Sequence, residues 1–236
     1  MSDTIPTLTR MPTPERPLTG LTVLLVEDSR FASEAVRLLC LRSGARIRRA
    51  DCLASADRHL KTYRPSIVIV DMGLPDGSGS DLIAEIRGTR GPHPVILGTS
   101  GDPDLKSAAL AAGADGFLEK PIESLAVFQE AILSTLPEEM RPLGLRALAD
   151  LVIAPDPLAL RDDLQHLSEL LRDTKGDDAR ALPYAAHFLH SIARSAHDAA
   201  LDDAAQRLRR SGGPSREDMT RVTQIIDARI AAAGAF

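Results

Sequence analysis

The sequence predicts a five-stranded, parallel, doubly wound α/β domain followed by an all-α antiparallel helix bundle, on three observations. Strand-like and helix-like stretches alternate from Leu21 to about residue 135, the pattern of a parallel sheet wrapped on both faces. At the centre of that pattern Ile67-Val68-Ile69-Val70, four consecutive β-favouring apolar residues, run into Asp71 and a Pro/Gly-rich turn ending at Gly79. This reads as a buried strand that delivers a carboxylate to a loop. Beyond Leu136 no β-rich run appears, and Ala, Leu, Asp and Arg dominate.

Residues 1–20 carry Pro6, Pro12, Pro14 and Pro17 and few large apolar side chains. They bury too little surface to offset ordering entropy, which predicts a disordered tail. The first strand, Leu21-Thr22-Val23-Leu24-Leu25-Val26, runs into Glu27-Asp28, and Phe31, Ala35, Leu38 and Leu39 then recur at helical spacing until Gly44. Residues 45–50 form a weak strand whose three arginines place it at an exposed sheet edge. A helix to about Tyr63 precedes the central strand. A helix at 81–88, a strand at 94–98 ending at Thr99-Ser100, a helix at 103–112, a short strand at 116–118 running into Glu119-Lys120-Pro121, and a helix at 122–135 complete the domain.

The boundary falls at a 137–142 linker between Pro137 and Pro142, so the first domain spans 21–136 and the second 143–236. Helical stretches are predicted at 143–154, 157–173, 179–197, 199–210 and 215–233, broken by Pro155, Pro157, Gly176 and Ser211-Gly212-Gly213-Pro214. Leucines at 160, 164, 167 and 171 keep helical period.

The net charge of −5 is shared: residues 1–136 carry 15 basic against 17 acidic side chains, and residues 137–236 carry 13 against 16. Neither half has the charge of a nucleic-acid module, so no nucleic-acid partner is expected. No apolar run approaches membrane-spanning length, and Met1-Ser2-Asp3-Thr4-Ile5-Pro6 lacks the blocks of a signal peptide. No membrane partner and a cytoplasmic location are therefore expected. Cys40 and Cys52 have no metal-like spacing and read as reduced structural thiols.

Strand ends on one sheet edge share a crevice where ligands bind. Three carboxylates there, Glu27, Asp28 and Asp71, repel one another unless a cation joins them, and hard oxygen ligands suit Mg²⁺. Lys120 at the same edge can neutralise an added anion and the Thr99 hydroxyl can donate to it. Together they describe a phosphoryl site with Asp71 as acceptor.

Residues of about 20–136 resemble a response-regulator receiver domain of the CheY-like, flavodoxin-like fold. The motifs are Val26-Glu27-Asp28-Ser29, Asp71-x-x-x-Pro75-x-x-x-Gly79, Thr99-Ser100, Ala112-Gly113-Ala114-Asp115 and Lys120-Pro121, in the family's order. The resemblance implies that Asp71 accepts a phosphoryl group from an upstream phosphohistidine by self-catalysed transfer. Glu27, Asp28, Asp71 and the backbone carbonyl of Gly73 would bind Mg²⁺, Thr99 and Lys120 would contact the phosphoryl oxygens, and Phe117 would be a switch aromatic. Ser100 departs from a commoner alanine, and the loop after Thr99 is one residue short.

In the second half Leu182, Ala185, Ala186, Leu189, Ile192, Ala193 and Ala196 form a complete apolar stripe. At about 100° per residue His187 lies opposite it beside Ser191 and Arg194, which predicts a solvent-facing imidazole. The segment Ala186-His187-Phe188-Leu189-His190-Ser191-Ile192-Ala193, with Leu201 to Leu208 after it, is similar to the histidine-phosphotransfer family. That similarity, over about 143–233, implies a phosphoacceptor at His187. His190 stands where the family has lysine and Ser191 where it has glycine.

The implied role is a two-component or phosphorelay signalling protein. Its partners are a histidine kinase or phosphotransfer protein and, beyond it, a downstream receiver or regulator. The alternative is a degenerate bundle without chemistry that forms a homodimer or binds a partner as an adaptor.

Overall fold

The computed structural model describes residues 11–142, 151–173, 181–210 and 213–233. Strands β1 (Thr22–Val26), β2 (Arg46–Ala50), β3 (Ile67–Asp71), β4 (Val95–Ser100) and β5 (Gly116–Glu119) form one parallel sheet in the order β2-β1-β3-β4-β5. The central strand is β3, and arginine-bearing β2 is an edge strand, as its composition predicts. Helices α1 (Arg30–Ser43), α2 (Leu53–Thr62), α3 (Gly79–Gly88), α4 (Leu105–Ala111) and α5 (Leu125–Thr135) alternate with the strands.

Period-two alternation in β3 divides the core. Ile67 and Ile69 pack with Leu39, Phe128 and Ile132 on the α1/α5 side, while Val68 and Val70 pack with Leu82, Ile83 and Ile86 on the other. A strand apolar at every position is therefore buried on both faces. Ser29 starts α1 by accepting from the Ala32 amide at 3.0 Å. Gly44 ends it with φ +86° and donates to Cys40 and Leu41 carbonyls, a left-handed cap that a residue with Cβ adopts only under strain.

The predicted tail differs from the structure over its second part. Leu18 is fully buried among Leu21, Leu39 and Cys40, and its amide donates to the Ser43 carbonyl at 2.9 Å. One apolar side chain with a backbone anchor suffices to hold this segment, which a composition average over twenty residues conceals. Residues 1–10 lie outside the described residues.

Four further helices among the described residues, α6 (Pro157–Asp173), α7 (Ala181–Ser195), α8 (Ala199–Leu208) and α9 (Arg216–Ala233), enclose a second core. Of the predicted stretch 143–154, residues 143–150 lie outside the described residues. Residues 151–153 are extended rather than helical: Val152 bridges Ser124, and Leu151 and Ile153 join the core of the first domain. Their amide and carbonyl groups pair with Leu125 and Glu123, which explains the extended backbone. Helices α6 and α7 also pack against α1, and α7 against the turn at Gly73–Leu74.

Candidate functional site

The carboxyl ends of β1, β3, β4 and β5 bring Glu27, Asp71, Thr99 and Lys120 together, all essentially buried. Register explains part of the placement, since Asp71 pairs with Thr99 and Val26 with Val70 across the sheet. The Lys120 ammonium donates to Asp71 Oδ2 at 2.9 Å and lies 2.7 Å from Glu27 Oε2. Carboxylate oxygens of Glu27, Asp28 and Asp71 all fall within 4.8 Å of one another. Arg49 on the edge strand supports the first acids by donating to the carbonyls of Glu27 at 3.2 Å and Asp28 at 2.8 Å.

So dense a charge cluster splits its titrations. Burial drives Glu27 well above the usual carboxylate range against the pull of Lys120, and the charges of Asp71 and Asp28 add to the rise. Burial and the Asp71 charge likewise raise Asp28 to about 6. Asp71 is buried too, but the Lys120 ammonium and then the His187 imidazole outweigh burial and hold it at about 2. Lys120 itself is raised, because Asp71 and Glu27 overcome its desolvation. The central acid is thus the most readily ionised of the three, as suits a nucleophile.

The helical half covers this cluster. His187 Nε2 is 3.9 Å from Asp71 Oδ1, beyond hydrogen-bond reach, and is buried without a partner. The prediction that His187 faces solvent is corrected: its side chain is only 13% exposed, because the first domain packs on the helix face opposite the apolar stripe. A Cβ on Gly73 would lie 2.0 Å from His187 Cδ2, so the ring occupies space that only glycine leaves open. Ser191, one turn along α7, accepts a 2.7 Å hydrogen bond from Lys120, and Tyr184, one turn back, donates to Asp28 Oδ2 at 2.7 Å. The buried Thr99 hydroxyl has no partner either.

His190 leaves the cluster and pairs with Asp202 at 2.6 Å, while Arg194 lies 3.6 Å from Glu119. Phe117 is partly buried beside Gly98. Three side-chain roles escape the sequence reading. Asp163 on α6 accepts from Ser29 Oγ, Arg30 N and Phe31 N at 2.7–3.0 Å. Tyr184 and Ser191 are the other two, and their spacing of 3 and 4 residues from His187 marks a second buried face on α7.

The family of response regulator receiver domains matches residues 23–132. The chain is 34% identical over 99 residues to the KDP operon transcriptional regulatory protein KdpE of Escherichia coli, covering 42% of this chain and 44% of that protein. It is 34% identical over 115 residues to the virulence transcriptional regulatory protein PhoP of Salmonella typhimurium, covering 47% and 51%. A CheY-like receiver domain from Methylobacillus flagellatus, a solved structure, is 26% identical with a TM-score of 0.45, covering 49% of this chain and 98% of that one. The chain spans about half the length of the curated relatives it matches. Residues 23–132 are a response-regulator receiver domain. Because the relatives are named transcriptional regulators, they lend no support to the expectation that nucleic acid is absent from the partners. No helix among the described residues is long and apolar enough to cross a membrane.

Proposed function

We propose that the chain is a phosphorelay protein. Its receiver takes a phosphoryl group on Asp71 from the phosphohistidine of an upstream kinase or phosphotransfer protein, and its helices α6–α9 form an antiparallel bundle of the histidine-phosphotransfer kind. The observation that carries this reading is the pairing of an ionised, buried Asp71 with the Lys120 ammonium at 2.9 Å beside two further acids.

Asp71 supplies the attacking oxygen, and Lys120 neutralises charge on the arriving phosphoryl group. Thr99, whose hydroxyl is buried and unpartnered, donates to one of its oxygens. The donor set fits Mg²⁺: three carboxylates within 4.8 Å offer hard oxygen ligands. When bound, the ion neutralises charge on the phosphoryl oxygens. Glu27, Asp28, Asp71 and the backbone carbonyl of Gly73 would hold it.

On the bundle, His187 is the carrier. The support is its unpartnered Nε2 and its place on α7 against the receiver site. The ring of contacts α6–α7, α7–α8, α8–α9 and α9–α6 suits a four-helix bundle.

The test is labelling with acetyl phosphate and Mg²⁺. Wild type is expected to gain a base-labile, acid-stable adduct that Asp71→Asn and removal of Mg²⁺ by a chelator both abolish. Label persisting unchanged in Asp71→Asn sinks the acceptor assignment.

A further inference from the structure

We propose that Asp71 and His187 of one chain exchange the phosphoryl group with each other, so that the packed arrangement of receiver and helices is an intramolecular transfer complex. This rests on the reading of Asp71 as acceptor and His187 as carrier, and it adds the identity of the histidine's exchange partner.

Four observations converge. The 3.9 Å between Asp71 Oδ1 and His187 Nε2 is too long for a hydrogen bond and leaves a gap in which one atom can sit in line between leaving oxygen and attacking nitrogen. Two polar groups at this sheet edge are unsatisfied: His187 Nε2, which bounds the gap, and the hydroxyl of Thr99, the strand neighbour of Asp71, are both buried and without partners. A buried polar atom left unpaired is costly, and a phosphoryl group in the gap satisfies both, accepting from Thr99 and bonding to the ring.

The site is also closed. Asp71 is 1% exposed, and α7 sits over it with the His187 ring against Gly73. The histidine of another protein reaches Asp71 only after the helices leave, whereas His187 is already there. Finally, the contacts flanking the gap hold α7 in register with it. Lys120 bridges Asp71 and Ser191, Tyr184 binds Asp28, and Asp163 anchors α6 to the start of α1. Holding the two reacting groups in this geometry gives the intramolecular step a large effective concentration.

In the forward step the Nε2 lone pair of a neutral His187, its proton on Nδ1, attacks the phosphorus of the Asp71 acyl phosphate. An N–P bond forms, the P–O bond to Asp71 breaks, and its electron pair returns to the carboxylate, which Lys120 stabilises. The Nδ1 proton of the resulting phosphoimidazolium passes to water. The reverse step regenerates the acyl phosphate, so no further reactant is needed. Ser191 is a positioning residue that holds the Lys120 ammonium.

The experiment labels the full chain with radioactive acetyl phosphate and Mg²⁺, and separates base-labile label on Asp71 from acid-labile, base-stable label on His187. Label is expected to appear on Asp71 and then on His187, with a rate constant unchanged over a hundredfold dilution of wild-type protein. An equal mixture of Asp71→Asn and His187→Gln chains, at the lowest of those concentrations, is expected to label His187 at least tenfold more slowly. Transfer in the mixture as fast as in wild type, or a wild-type rate that falls with dilution, overturns the intramolecular step while leaving the carrier reading standing. Label on Asp71 but never on His187 overturns both. Label on His187 in Asp71→Asn alone overturns the exchange, because the histidine then does not draw on Asp71. Absence of label from both residues overturns the acceptor assignment and the exchange with it.

Discussion

The Ser29 hydroxyl, which caps α1, donates at 2.7 Å to Asp163 on α6, 134 residues away in the chain. The same carboxylate accepts from the first two amides of α1 at 2.8 and 3.0 Å. A helix N-terminus leaves such amides unpaired and favours negative charge. The second half of the chain therefore completes a helix of the first, directly after Asp28 of the acidic cluster.

Removing that acceptor should loosen the packing of the two halves. Asp163→Ala strands three donors, at a cost of about 1–3 kcal/mol. The Arg30 and Phe31 amides are expected to exchange hydrogen faster, and acetyl phosphate is expected to label Asp71 faster as the cover opens. The Arg30–Asp162 pair nearby, exposed at both ends, holds little by itself. Unchanged exchange at both amides would show that Asp163 is not an anchor.

Tyr184 would compete with the proposed cation for Asp28. Its hydroxyl donates at 2.7 Å to Asp28 Oδ2, an oxygen that a metal would use. A hydrogen bond to a charged group contributes about 1.5–3 kcal/mol, and its loss frees the ligand. Tyr184→Phe is therefore expected to tighten Mg²⁺ binding by about tenfold in calorimetric titration. Weaker binding in the variant would refute the competition.

These contacts show where sequence reading stops. The parallel sheet, its central strand and its arginine-bearing edge were legible because buried parallel strands announce themselves as apolar runs and an exposed edge strand carries charge. Asp71, Glu27, Asp28 and Lys120 were legible for the same reason, since register then fixes them on one edge. His187 was found from helical period, but the same argument placed it in solvent. An amphipathic stripe tells which face meets the helix's own core and is silent about a second surface arriving from another domain. Asp163, at the margin of the stripe formed by Leu160, Leu164, Leu167 and Leu171, reads as a solvated acid until α1 is brought against it. Leu18 was hidden by the prolines around it.

Acid should weaken the junction of α8 and α9. Asp198 caps α8 through the Ala200 and Leu201 amides and pairs with Arg229 of α9. Its hydrogen bond with Arg229 pulls its carboxyl below the usual range. With the folded value below the unfolded one, the stabilisation is complete above the unfolded value and is lost as pH falls through the folded value. Asp198→Asn keeps a capping oxygen but removes the charge that pairs with Arg229, and is thus expected to lower stability by about 0.5–1 kcal/mol near neutral pH, the scale of a partly exposed ion pair. The gap to wild type should close below the ordinary carboxylate range in thermal melts. A gap that is constant with pH would rule out the charge of Asp198 as its source.

Lys120 separates the structural and chemical roles of the cluster. Its fully buried ammonium lies 2.7 Å from Glu27 and 2.9 Å from Asp71, so Lys120→Met leaves two buried acids without their cation. Breaking a buried pair from one side costs about 3–5 kcal/mol, and the variant is expected to melt well below wild type. On the proposed reading Mg²⁺ would address the same carboxylates, and a ligand that binds only the folded state stabilises it the more, the tighter it binds. Mg²⁺ should consequently raise the melting temperature of Lys120→Met by more than it raises that of wild type. Labelling of Asp71 should nevertheless stay depressed, because no ammonium remains to meet the phosphoryl oxygens. A Mg²⁺-induced shift no larger than in wild type would show that lysine and metal do not share these ligands.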